Sequence, residues 1–64
     1  MNAEMITEII AGRPDLEYGA ARSGPNQWGV FVREPNSNTY LHWFPESSYK
    51  ACMATIWKVK RTDG

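Results

Sequence analysis

Residues 28–44 constrain the fold more than any other stretch of the chain. They read Trp-Gly-Val-Phe-Val-Arg-Glu, then Pro-Asn-Ser-Asn, then Thr-Tyr-Leu-His-Trp-Phe. Two arms rich in β-branched and aromatic residues flank a segment of turn chemistry, which is the pattern of a β-hairpin. Pro35 fixes its own φ, and Asn36 or Asn38 tolerates the left-handed region. With residues 35–38 as the loop, Arg33 faces Tyr40, Val32 faces Leu41, Phe31 faces His42 and Val30 faces Trp43. Side chains alternate across a sheet. One face then carries Trp28, Val30, Val32, Leu41 and Trp43, and the other Phe31, Arg33, Tyr40, His42 and Phe44. The first face is wholly apolar and is the expected core face. A slip of one residue would exchange the faces of one arm.

The second face mixes rings with an arginine and the only histidine. It reads either as the solvated side of a half-covered sheet or as a contact platform. Aromatic rings and Arg are enriched at interface centres, and two exposed Phe on one small face call for a partner. Phe31, Arg33, Tyr40, His42 and Phe44 are therefore the expected contact residues.

A chain of 64 residues is expected to form one domain over residues 1–64. A core of this size supplies roughly 3–5 kcal/mol without staples. Cys52 is the single cysteine, so no intramolecular disulfide can help, and a reducing cytoplasm is the expected location. Three Trp, three Tyr and two Phe compensate by burying large areas each. Self-association would be another source of buried surface. No segment has the length and apolarity of a membrane span, and the first residues lack the basic stretch of a signal peptide.

The formal net charge is zero, which disfavours strong non-specific nucleic-acid binding. The charges are nevertheless polarised along the chain. Residues 1–17 hold Glu4, Glu8, Asp15 and Glu17 against Arg13 alone; residues 47–61 hold Lys50, Lys58, Lys60 and Arg61 with no acid.

Residues 3–11 predict a short helix. Met5, Ile6, Ile9 and Ile10 form its apolar stripe, Asn2 is the expected N-cap, Gly12 the C-cap, and Pro14 follows. Glu4 and Glu8 fall on its outer face. Residues 15–22 predict a first strand in which Leu16, Tyr18 and Ala20 alternate with Glu17, Gly19 and Ala21; Gly19 would allow close packing under a helix. Residues 23–27 form a loop, and Pro45 is expected to stop the third strand. Ser47 or Ser48 caps a second helix running to about Arg61. Tyr49, Cys52, Met53, Ile56 and Val59 make its apolar face, flanked by Trp57, with Lys50, Ala54, Lys58 and Arg61 opposite. The expected fold is α+β: a three-stranded antiparallel meander with two helices on one face, in the order α-β-β-β-α and two layers. The acidic first helix and basic second helix would lie side by side.

Little catalytic chemistry is present. Metal sites need several His, Cys or carboxylate ligands at fixed spacing, and this chain has one His and one Cys. Cys52 sits on an apolar helix face and reads as a small buried hydrophobe. No glycine loop has phosphate-cradling spacing, and a domain this small leaves little room for a pocket of about 300 Å³. No cofactor, metal or enzymatic activity is expected.

The element order at this length, with Tyr18 followed by Ser23-Gly24-Pro25 and then a strand, resembles a double-stranded RNA-binding domain. That resemblance in layout covers nearly the whole chain. It implies phosphate contacts from the second helix, and so from Lys50, Lys58, Lys60 and Arg61. The chain departs from the family at residues 47–52, where Lys50 is the only lysine, and at Gln27, where the family carries a His.

The leading expectation is a small non-catalytic module that occludes or adapts a protein partner, as phage- and plasmid-type inhibitors do. Nucleic-acid binding through the second helix or the open sheet face is the alternative. A homodimer through the aromatic face is the third.

Overall fold

The structure is a computed structural model that describes residues 2–60. Five elements follow in the expected order: α1 (Asn2–Gly12), β1 (Glu17–Gly24), β2 (Gln27–Arg33), β3 (Tyr40–Glu46) and α2 (Tyr49–Lys58). The strands form one antiparallel sheet in the order β1-β2-β3. The helices cover one face, and the other face is open.

The covered face holds the core. Ala3, Ile6 and Ile10 of α1, Leu16, Val30, Val32 and Phe44 of the sheet layer, and Cys52 and Val59 from α2 and its end are all buried. Tyr18, Ala20, Trp28, Ile9 and Ile56 pack around them, as the helical and strand periodicities require. Trp28 meets Tyr49 of α2 edge-on at 5.2 Å, and the Arg22 guanidinium lies over the Trp28 ring at 5.8 Å.

Two turns that share a central Pro-Asn pair set the meander. Gly24-Pro25-Asn26-Gln27 joins β1 to β2, and Glu34-Pro35-Asn36-Ser37 opens the β2–β3 connection. In each, Pro supplies the second position and Asn the third, with φ of 58° at Asn26 and 67° at Asn36. This is the residue requirement of a type II turn. The Ser37 amide closes the second turn on the Glu34 carbonyl at 3.2 Å. The expected 23–27 loop is thus only two residues long between paired positions.

The hairpin register differs from expectation by one residue, and the difference begins at Leu41. Arg33 pairs with Tyr40 as expected, but Val32 pairs with His42, Phe31 with Trp43 and Val30 with Phe44. Leu41 has no partner across the ladder, so it forms a β-bulge. Every residue of β3 after the bulge changes face. Phe44 enters the core, at 8% exposure, in place of Trp43, while Leu41 is 47% exposed. Pro45 does not stop β3. It pairs with Gly29 in an edge strand, where proline is tolerated.

Smaller corrections have local causes. Asn2 lies inside α1, and its side chain donates to Glu46 Oε2 at 3.1 Å rather than capping the helix. Gly12 has no left-handed conformation; α1 ends as the chain approaches Pro14, which disfavours helical geometry at Arg13. β1 starts later than expected because residues 13–16 form a turn, closed by the Leu16 amide on the Arg13 carbonyl at 3.1 Å. α2 begins as expected at the Ser48 cap, whose Oγ accepts from the Ala51 amide at 3.1 Å. It stops at Lys58, because Val59 turns extended (φ −70°, ψ 129°) to bury its side chain in the core. Arg61 lies outside the described residues.

Candidate functional site

The open face of the sheet carries a ladder of rings. Phe31 on β2 and Trp43 on β3 are direct cross-strand partners. Tyr40 stacks on both, with centroids at 4.8 Å and 15° to Phe31, and at 5.8 Å and 13° to Trp43. The bulge at Leu41 creates this cluster, because it brings Trp43 to the same side as Phe31. Each parallel-offset pair contributes about 0.5–1.5 kcal/mol beyond area burial.

Glycines make room beneath the rings. A Cβ at Gly29 would fall at 2.7 and 2.8 Å from Trp43 Cε2 and Cη2, and closer still to Cζ2. Distances this even across three bonded ring atoms place the indole face, not its edge, against the backbone. A Cβ at Gly19 would lie 3.1 Å from Phe31 Cζ. Gly19 thus serves the open face rather than close packing under a helix. Gly19, Ala21 and Gly29 keep the floor of the patch low, and Tyr40 stands 45% exposed upon it.

Charge is confined to one end. Arg33 Nε donates to Glu17 Oε1 at 3.2 Å on the neighbouring strand, and its guanidinium sits 5.4 Å from the Phe31 centroid. The Arg33–Glu17 ion pair flanks the stack at this end.

Of the five expected contact residues, Phe31, Arg33 and Tyr40 come together on this face. His42 and Phe44 do not: the bulge turns them toward the helix side. There Phe44 is core, and His42 is exposed at the sheet edge, its ring 6.2 Å from that of Phe44. Trp43 is the ring that sequence reasoning assigned to the core. The available signal was Gly29, since a glycine within a strand marks close approach by another group.

The cations of the alternative site lie on the other layer. Lys50 and Lys58 are exposed on α2, and Lys60 follows it. They do not share a surface with the ring stack.

Two open grooves run along α1, which corrects the expectation that so small a domain lacks room for them. One, of about 620 Å³, lies between α1 and the end of α2. The other, of about 380 Å³, is lined by Met5, Glu8, Ile9, His42 and Phe44. Cys52 is fully buried, and burial pushes its thiol above the ordinary range, with the Glu46 carboxylate adding to the rise. Among the described residues, no three His, Cys, Asp or Glu side chains converge as a metal-binding group. Among them, too, no helix is long and apolar enough to cross a membrane.

No protein-family model matches the sequence, and comparison with curated proteins and with solved structures finds no significant match in either.

Proposed function

We propose that this domain is a non-catalytic protein-binding module whose contact surface is the open sheet face, centred on Phe31, Tyr40 and Trp43 with Arg33 at the rim. The supporting observation is the contiguous three-ring stack seated on glycines, with its only charges in one ion pair at the edge. Such a surface suits an apolar partner patch rather than a phosphate backbone. Aromatic anchors at the centre and a charged rim match the anatomy of a binding hot spot. The action that follows is occlusion or adaptation of a macromolecule, in the manner of small phage- or plasmid-type inhibitors. The buried, unpaired Cys52 suits a reducing cytoplasm.

Base stacking on the rings is the competing use of such a platform. The separation of the rings from Lys50, Lys58 and Lys60 disfavours it. A strand stacked on Tyr40 would find one arginine, already engaged by Glu17.

The test is affinity capture from a lysate with and without nuclease, run in parallel on wild type, Tyr40→Ala and Lys50→Ala/Lys58→Ala. A protein retained after nuclease, lost with Tyr40→Ala and kept with the double lysine variant supports this reading. Recovery that vanishes with nuclease or with the lysine substitutions overturns it in favour of nucleic-acid binding.

A further inference from the structure

Trp57 is the most exposed large apolar residue described, at 84%, and it borders the 620 Å³ groove between α1 and the end of α2. The groove has one acidic and one basic wall. Glu4 and Glu8 stand four residues apart on α1, so they share a helix face. Lys58 and Lys60 form the opposite side, with Ala3 and Thr7 between.

This groove is built rather than incidental. The Thr7 hydroxyl donates to the Ala3 carbonyl at 2.7 Å and accepts from the Lys60 amide at 3.1 Å, which pins the chain after α2 onto α1. The buried side chain of Val59 anchors the same segment. Among the described residues, none of the four charged side chains has an ion-pair partner within 4.0 Å.

We infer that this groove is a self-association surface, and that its occupant is a second copy of the chain. Two lysines facing two glutamates make a surface of balanced charge with its signs separated. A two-fold axis running along the groove sets each acidic wall against the basic wall of the other copy. The protruding indole of each copy then projects into the groove of the other, whose volume of about 620 Å³ exceeds that of the ring. An isologous contact of this kind uses a projecting aromatic anchor and a complementary charged rim from one patch. A membrane is the poorer occupant, because Glu4 and Glu8 would oppose an anionic surface. The sheet face stays free in this dimer, so the inference does not rest on the function proposed above.

Sedimentation equilibrium of the full chain, at concentrations up to about 1 mM, tests it. Wild type is expected to show a monomer–dimer equilibrium that Trp57→Ala weakens by about 30-fold or more, the loss typical of a central anchor. Tyr40→Ala should leave the equilibrium unchanged. Glu4→Lys/Glu8→Lys and Lys58→Glu/Lys60→Glu should each be monomeric with wild-type circular dichroism. Their equimolar mixture should restore a dimer, because each acidic wall again meets a basic one. A wild type that stays monomeric throughout overturns the inference. So does a dimer dissolved by Tyr40→Ala but not by Trp57→Ala, or a charge-swapped mixture that fails to associate.

Discussion

The indole of Trp43 lies face-down on Gly29 of the adjacent strand, close enough that a Cβ there would overlap the ring. Gly29→Ala should therefore expel Trp43 from its seat and break the stack with Tyr40. The expected cost is about 1–3 kcal/mol, that of overpacking a filled site. Denaturant unfolding would show a lower midpoint with an unchanged slope. The Tyr40 ring protons should also lose the shielding that comes from their stacked neighbours.

Glu46 ties three elements together through one oxygen. Its Oε2 accepts from Asn2 Nδ2 of α1 at 3.1 Å and from Thr55 Oγ1 of α2 at 2.7 Å, while its own backbone belongs to β3. Glu46→Ala should cost about 1–3 kcal/mol, because two partly buried donors lose their acceptor. Glu46→Gln keeps an oxygen in place and should cost less. Chemical denaturation of both variants distinguishes the hydrogen bonds from simple loss of side-chain volume.

Alkaline stability should depend on Cys52. Its folded thiol titrates above the unfolded one, because burial disfavours the thiolate and the Glu46 charge repels it. In that window the folded state binds more protons than the unfolded state, so stability falls as pH rises past about 8.5. Cys52→Ala should remove this part of the decline. Glu46→Gln should bring the thiol down toward its ordinary range. Native Cys52 should react with a disulfide reagent only as fast as the domain opens.

Arg13 grips Asp15 through two bonds, at 3.0 and 2.8 Å, and also reaches Glu34 at 3.2 Å. The guanidinium holds the Asp15 carboxyl below its usual range. Stability from this pair is present above the ordinary carboxylate range and is lost as pH falls through the depressed value. All three side chains are about half exposed, so the effect on unfolding should be small and weakened by salt. The sharper readout is an NMR titration in which Arg13→Ala moves the Asp15 midpoint upward.

The element order and most of both helical stripes were legible because periodicity is a local property, although Met5 and Tyr49 of those stripes are exposed. Ile6 and Ile10, or Cys52 and Ile56, declare their face without reference to other strands. The Ser48 cap and the two Pro-Asn turns were readable for the same reason. The register of β3 was not. Leu41 with Trp43, and His42 with Phe44, are both coherent alternating sets, and nothing inside residues 39–44 chooses between them. The choice is made across the sheet: Gly29 offers the large indole a seat on the open face, and the smaller Phe44 ring enters the core beside Val30. Three of the five expected contact residues share the open face because they precede the bulge. The exposure of Trp57 was also hidden, because a position flanking an apolar stripe is covered or not according to where the neighbouring helix ends.

The bulge gives Leu41 the character of a frame-setting insertion. Replacing its side chain alters an exposed position, and even deleting the residue would leave His42 opposite Val32, because Leu41 is the one extra residue between the Arg33–Tyr40 and Val32–His42 pairs. Taking Leu41 into the ladder opposite Val32, with no bulge, would instead turn Trp43 inward and Phe44 outward, leave Gly29 uncovered, and carry the Glu46 carboxylate away from both helices. The face of every later residue of β3 thus depends on Leu41 being passed over by the ladder, and not on what its side chain is.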